Sequence, residues 1–442
     1  MSRRLQIRFG FGTGPHVSAI GAGALLAGVT GYDKAAQRFP TPGLQDVLDG
    51  ARAVRDARRE NRDEKPAQAK LRSLSLQGSR NLLARTADGK SAFRERLMWF
   101  WGDHFTVSAS NLPARAGVPA YFDGAIRPHV GGRFADMLKA ALTHPSMLLY
   151  LNQSSSFGPN SAVGRRRGRG LNENLAREML ELHTLGVGAS YSQDDVRQLA
   201  ELMTGLTFNL SRGFHYRADM AEPGAEVVLG RAYGGREGRL EDVFQALDDL
   251  AMHDDTVTHI ATKLAHHFIS DTPDRDLIED LAEAYRSGDG ALVPVYDVLL
   301  QHSSTTERFG EKAKTPFDFL MSALIGLGAR SDDIAGLSPK DLRQGLFRPL
   351  EAMGQPLFRA PGPNGWPEEA DHWIAPQGLA TRILWSLRAA ERLSDRLLEP
   401  RLILDEALGD LASPELSFAV SAAETRPDAV ALILASAEFN RR

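Results

Sequence analysis

Two amphipathic helical periods, separated by two glycines and a capping signal, occupy Leu171 to Gly205, a pattern that pairing into a sheet cannot satisfy. At about 100° per residue, the α-helical repeat, Leu171, Leu175, Met179 and Leu182 share one side, widened by Ala176 and Leu180. Glu173, Asn174, Arg177, Glu178 and Glu181 fall together on the other side. Gly186 and Gly188 follow as a left-handed stop. Ser192 and Asp195 stand in capping-box register, and a second helix runs from there through Val196, Leu199, Leu202 and Met203 to Thr204-Gly205. The stretch predicts an αα-hairpin.

Composition extends the helical reading to the rest. Leu, Ala, Arg, Glu and Asp dominate and β-branched residues are sparse, which favours helix. A hydrophobic content of 43% against 24% charged residues suits a chain that buries a core. The expected fold is mainly α: one large irregular helical domain over residues 1–442 with a small β-hairpin insertion. Its parts are a helical region 1–153, an Arg-rich loop and the αα-hairpin over 154–208, a β excursion over 213–232, and a helical region 240–442. In the β excursion, alternation over Phe214–Ala218 and Glu226–Arg231 predicts two strands of one ribbon.

Several function classes fall away on composition. The net charge of −4 argues against nucleic acid and against an anionic membrane surface as partner. No apolar run is long enough for a membrane span. Without cysteine there is no disulfide, thiol nucleophile or thiolate metal site. Arg8-Phe9-Gly10-Phe11-Gly12 lacks the preceding strand and full glycine spacing of a phosphate-binding loop, so no cofactor is implied. His253, His259, His266 and His267 do not present two ligands at i,i+4, so no metal site is read there. Arg3-Arg4 is followed by no apolar segment of signal type, so a cytoplasmic location is expected.

The candidate chemistry gathers around the hairpin. His183 and Asn172 project from the apolar side of the first helix, in nearly the same direction. Glu178 borders that side, and a half-buried carboxyl with a raised pKa is suited to acid–base work. Glu181, on the solvated face with Arg177, is a second candidate. The glycine- and serine-rich stretch before the helix carries Arg165, Arg166, Arg167 and Arg169, a potential anion clamp beside a helix N-terminus. Asn172 and Asn174 are candidate binding amides. Farther off, Phe93–Phe105 forms a core helix through Leu97, Trp99, Phe100 and Trp101, and ends in Asp103-His104, half of a potential proton-transfer pair. Trp366, in a Pro/Gly-rich loop with His372-Trp373 after it, could form a stacking platform. Against each functional reading stands a structural one: solvated i,i+4 ion pairs for Glu173, Arg177 and Glu181, a satisfied core histidine for His183, a solvated loop for the arginines.

The words GLNENLAREMLELHTLGV, YSQDDV and LAELMTGLTF resemble the core motif of a bacterial family called domain of unknown function 1800. Further landmarks of the resemblance lie at Lys263–Phe268, Lys312–Pro316, Met353–Gln355 and Gly365–Pro367, so it spans nearly the whole chain. The family carries no assigned activity. Its members are often encoded beside a sulfatase-like family, which implies sulfated or similarly charged material and a sulfatase-like partner protein. Three readings follow. The first is an enzyme acting on an anionic or carbohydrate substrate, with Glu178 or Glu181 as acid or base and His183 or His104 as partner. The second is a non-catalytic helical partner of the sulfatase-like protein, exported with it to the periplasm. The third is a carboxylate-bridged metal site, against which no Glu-x-x-His pair lies on the candidate helices.

Overall fold

A computed structural model describes residues 1–168, 170–393 and 397–442. Helices dominate, and two small antiparallel hairpins hold the paired strands among the described residues. None of the described helices is long and apolar enough to cross a membrane.

The first helix, α1 (Ser2–Phe9), buries Leu5 and Phe9 and ends in a turn around Phe11. Gly12 takes φ +105° there, a conformation that glycine adopts without a steric penalty. The charged stretch after Pro42 forms two packed helices, α2 (Leu44–Arg59) and α3 (Lys65–Thr86). Helix α4 (Ala92–His104) runs through the largest core, with Leu97, Phe100 and Trp101 buried; Trp101 donates to Tyr296 Oη at 2.7 Å. Trp99 packs against this core and also against a second one around Phe11, Phe317 and Leu320. A third core gathers C-terminal side chains such as Phe319, Val430 and Ile433.

The αα-hairpin forms, with two local departures. Its first helix starts at Asn174, because the Asn172 side chain captures the Asn174 N–H at 3.1 Å and competes with the helical ladder. This α5 (Asn174–Glu178) then widens into a π-turn over Met179–His183, which rotates the positions after Glu178 away from the regular α-helical phase. Gly186 and Gly188 stop it at φ +97° and +76°. The second helix, α6 (Gln193–Leu202), opens on the expected reciprocal cap: Ser192 N–H donates to Asp195 Oδ2 at 2.8 Å, and Asp195 N–H to Ser192 Oγ at 3.2 Å. Asp195 Oδ1 also accepts from Leu229 N–H at 2.7 Å, tying the cap to the β region. Ser192→Ala is therefore expected to cost about 1 kcal/mol, read as a lower urea midpoint; an unchanged midpoint would count against the cap.

The β region is two hairpins, not the single ribbon expected from residues 214–231. Strand β1 (Leu206–Asn209) pairs with β2 (Gly213–Tyr216), and β3 (Gly224–Val228) with β4 (Arg231–Gly235). Each closes through a short turn. Asn209 Oδ1 accepts from Ser211 and Arg212 N–H in the first. Leu229 and Gly230 at φ +51° and +78° make the second, a two-residue turn of primed type. Local closure restricts fewer residues than pairing across the longer loop.

The Arg-rich stretch also departs from expectation. Ser161 caps a short helix, Ala162–Arg167, and Gly168 ends it at φ +80°. A loop without regular structure was expected there.

Farther on, α7 (Asp254–Phe268) is capped by His253 Nδ1, which accepts from Asp255 N–H at 3.2 Å. Helix α8 (Pro316–Gly326) opens on Thr315.

Candidate functional site

The expected site does not assemble. His183 is fully buried, with its ring 5.2 Å from that of Phe105, and burial, Lys263 and His259 push its pKa down to about 3. Glu178 is half-buried, and burial together with Glu181 raises its carboxyl against the opposing pull of Arg177. No hydrogen bond joins it to His183 among the described residues. The imidazole lies on the apolar side of its helix and packs against His104 and Phe105 at the end of α4. Glu181 and Glu173 pair with Arg177 at 3.5 and 3.2 Å, the solvated ladder of the structural reading. Asn172 is a clamp: it donates to Leu151 O at 2.8 Å and accepts from Asn174, while its backbone N–H bonds Ser156 Oγ. Asn174 is exposed. So are Arg165, Arg166 and Arg167; Arg166 bonds Ala162 O and Arg167 lies over the Phe157 ring at 5.8 Å. Arg169 lies outside the described residues.

What the fold does bring together is the end of α4, the face of α7 and the Pro/Gly-rich loop. They enclose a cleft of about 100 Å³ lined by Asp103, His104, Lys263, His267, Trp366 and Glu368. Three landmark segments of the resemblance, 263–268, 312–316 and 365–367, supply wall residues, and Gln355 comes from a fourth. Much of the remaining wall is aromatic. Trp99 and Phe358 stack at 5.7 Å with an 8° interplanar angle. Phe358 has φ +59°, a conformation that costs a non-glycine residue free energy, and its carbonyl accepts from Ala109 N–H at 2.8 Å.

Two titratable groups on this cleft are shifted in opposite directions. Asp103 accepts the Trp366 N–H at 3.1 and 3.2 Å, yet burial, the larger effect, and the negative charge of Glu368 lift its carboxyl from 3.8 to about 7. Its surface stays partly open to the cleft. His267 is the reverse case. Burial lowers its imidazole to about 4, so it is neutral near pH 7. Its Nδ1 lies 2.6 Å from Glu368 Oε1, and a carboxylate accepts, so the proton sits on Nδ1 and Nε2 is left with a lone pair. Burial alone pushes Glu368 up. His267, Lys312 and Arg442 outweigh it and hold the carboxyl below the ordinary range. Lys312 Nζ braces Glu368, donating to its backbone carbonyl at 2.8 Å and to its Oε2 at 3.5 Å, and is itself held by Asp271 Oδ1 at 2.6 Å.

The cleft thus holds a carboxyl with a raised pKa, Asp103, and an imidazole with a lowered one, His267, oriented by a Lys312-supported Glu368. Asp103-His104 and Trp366 were legible as candidates; Glu368 and Lys312 were not, because nothing in their local spacing connects them to residue 267. The resemblance landmarks were the one available pointer. His104 lines the cleft, but its Nε2 meets His183 O at 3.2 Å, which places the proton there and binds the ring to the hairpin.

Gly365 makes the Asp103 contact possible. It has φ +77°, and a Cβ there would come within 2.5 Å of Asp103 Oδ2. Gly365→Ala combines this clash with left-handed strain, and a loss of about 2–4 kcal/mol in unfolding free energy is expected. A variant as stable as the parent would show that the loop can rearrange freely around Asp103.

No curated protein and no solved structure matches the chain. The family model described as Protein of unknown function (DUF1800) matches residues 4–441, the resemblance landmarks and all the cleft residues included. The chain belongs to the DUF1800 family.

Proposed function

We propose that the protein is an acid–base enzyme acting on a small anionic or carbohydrate-like substrate in the cleft between α4, α7 and the Trp366 loop. The supporting observation is the coexistence, on one partly apolar cavity, of a carboxyl held protonated to about pH 7 and an imidazole held neutral by the same burial. In a hydrolytic cycle, His267 Nε2 takes a proton from water as the water oxygen attacks. Asp103 gives its proton to the departing oxygen. The imidazolium then returns a proton to the Asp103 carboxylate, restoring both groups. Glu368 steadies the imidazole while it is charged.

Turnover on a panel of small hydroxy-acid esters and glycosides tests this. The wild type should turn over at least one member, with kcat/KM declining above pH 7 as Asp103 loses its proton. Asp103→Asn and His267→Gln should each lower kcat/KM by about 10²–10⁴-fold. Equal turnover in wild type and both variants would sink the reading.

A second reading, a body that holds a sulfatase-like partner, has one observation in its favour. The C-terminal helices expose Leu384, Leu402 and Phe418 at 52%, 56% and 75%, and such side chains are candidates for protein contact. On this reading, a sulfatase-like protein co-purifies from the native host and Phe418→Ser with Leu402→Ser releases it. Retention of that protein by the double variant would discard this surface.

A further inference from the structure

Lys263 lines the cleft without a carboxylate in ion-pair range among the described residues. Of the carboxylates on the cleft, Asp103 feels the Lys263 charge but lies beyond ion-pair range, Glu368 is engaged with His267 and Lys312, and Asp318 with Arg96. Its other neighbours are the imidazoles of His104, His183 and His259, all kept neutral by burial and by Lys263 itself, which offer it no counter-charge. A cation beside an apolar wall, with no partner, is an open position for an anion.

The polar atoms left over on the same wall have a definite character. Trp99 Nε1, His104 Nδ1 and His267 Nε2 are buried and have no hydrogen-bond partner among the described residues. His104 is only 3% exposed. Because the His104 proton sits on Nε2 and the His267 proton on Nδ1, both free ring nitrogens are acceptors. The indole N–H is a donor. A purely apolar acid would leave the His104 acceptor desolvated, and such a loss costs binding. A neutral sugar would leave the ammonium unpaired. The cavity has room for a ligand on the order of ten non-hydrogen atoms.

We infer that the cleft takes a small hydroxylated carboxylate, its carboxylate on Lys263, a hydroxyl group on His104 Nδ1 and one oxygen on the Trp99 indole, with His267 Nε2 left to the attacking water. This rests on the cleft assigned under the proposed function and narrows its substrate class. It concerns binding alone, so it can fail while acid–base turnover is observed, and it can hold where turnover is absent.

The test is calorimetric titration of the full chain carrying Asp103→Asn, with D-glucuronate, D-glucose and benzoate as probes. Glucuronate should bind at least tenfold more tightly than either of the others, since only it satisfies both the ammonium and the His104 acceptor. Lys263→Met should remove that preference over glucose, while Lys263→Arg keeps part of it. In case Lys263→Met fails to fold, the unmodified protein is acetylated with acetic anhydride, with and without glucuronate, and Lys263 labelling is read by mass spectrometry; protection is expected. Glucose or benzoate binding as tightly as glucuronate, no measurable binding of any probe, or unprotected labelling of Lys263 would each overturn the inference.

Discussion

Asp103→Asn is expected to stabilise the protein above neutral pH while abolishing most of the turnover proposed for the cleft. The sign follows from the proton count. The Asp103 carboxyl titrates near 7 in the folded chain and near 3.8 when unfolded. Below pH 4 both states hold the proton and the group contributes nothing. Between about pH 4 and 7 the native state keeps a proton that the unfolded state releases, so stability falls as pH rises. Above pH 7 the loss is complete. It amounts to about 2–4 kcal/mol, taken conservatively because the group borders an open cleft. Asparagine keeps an acceptor for the Trp366 N–H and has no charge to desolvate. Urea unfolding of wild type and variant at pH 5 and pH 8 reads this directly: the gap between them should widen towards pH 8. Parallel pH profiles would mean that Asp103 is not held protonated, and the acid assigned to it would go with them. A functional group kept at a cost in stability is a common feature of active sites.

Asp318→Asn is expected to be among the most damaging single changes. Asp318 is 3% exposed and is the carboxylate around which several buried cations are arranged. Arg96 hydrogen-bonds its Oδ1, and Arg442 Nε lies 3.2 Å from its Oδ2, close but without hydrogen-bond alignment. Lys314 is nearby, over the Phe439 ring at 4.3 Å; burial, then the positive charges of Arg96, Arg442 and Arg382, lower it to about 7 despite Asp318. Removing this negative charge leaves the Glu368 carboxylate to offset Arg96 and Arg442 where water cannot reach them. Losses of about 3–5 kcal/mol are typical when one partner of a buried pair is deleted. Arg442→Met in the Asp318→Asn background should recover part of the loss, since it removes an unpaired cation. A loss below about 1 kcal/mol, or no recovery in the double variant, would show that the network is not held by charge. Arg96 and Asp318 also border the cleft, so the same change should loosen the floor on which His267 and Glu368 stand.

Local pattern determined the helices, their stops and the cap at Ser192, because hydrogen bonds and side-chain periods within a few residues decide those features. Whole-chain resemblance likewise placed the protein in its family before any coordinates. Three things escaped local reading. Asn172 competes with the helix for an N–H, a π-turn resets the phase at Met179, and short turns divide the β region into two hairpins. Each is a small shift in pairing that leaves composition untouched.

The functional reading moved farther than the fold did. Polar residues dense in sequence, Arg165 to His183, proved to be a surface ladder, a clamp and a sealed imidazole. The cleft draws instead on Asp103, Lys263, His267 and Glu368, which are remote from one another in the chain. Residue type and spacing state what a side chain can do. Burial and long-range pairing state which proton it holds, and for Asp103 and His267 those came only from tertiary packing. Desolvation depends on everything that surrounds a group, and in this chain those surroundings are assembled from segments hundreds of residues apart.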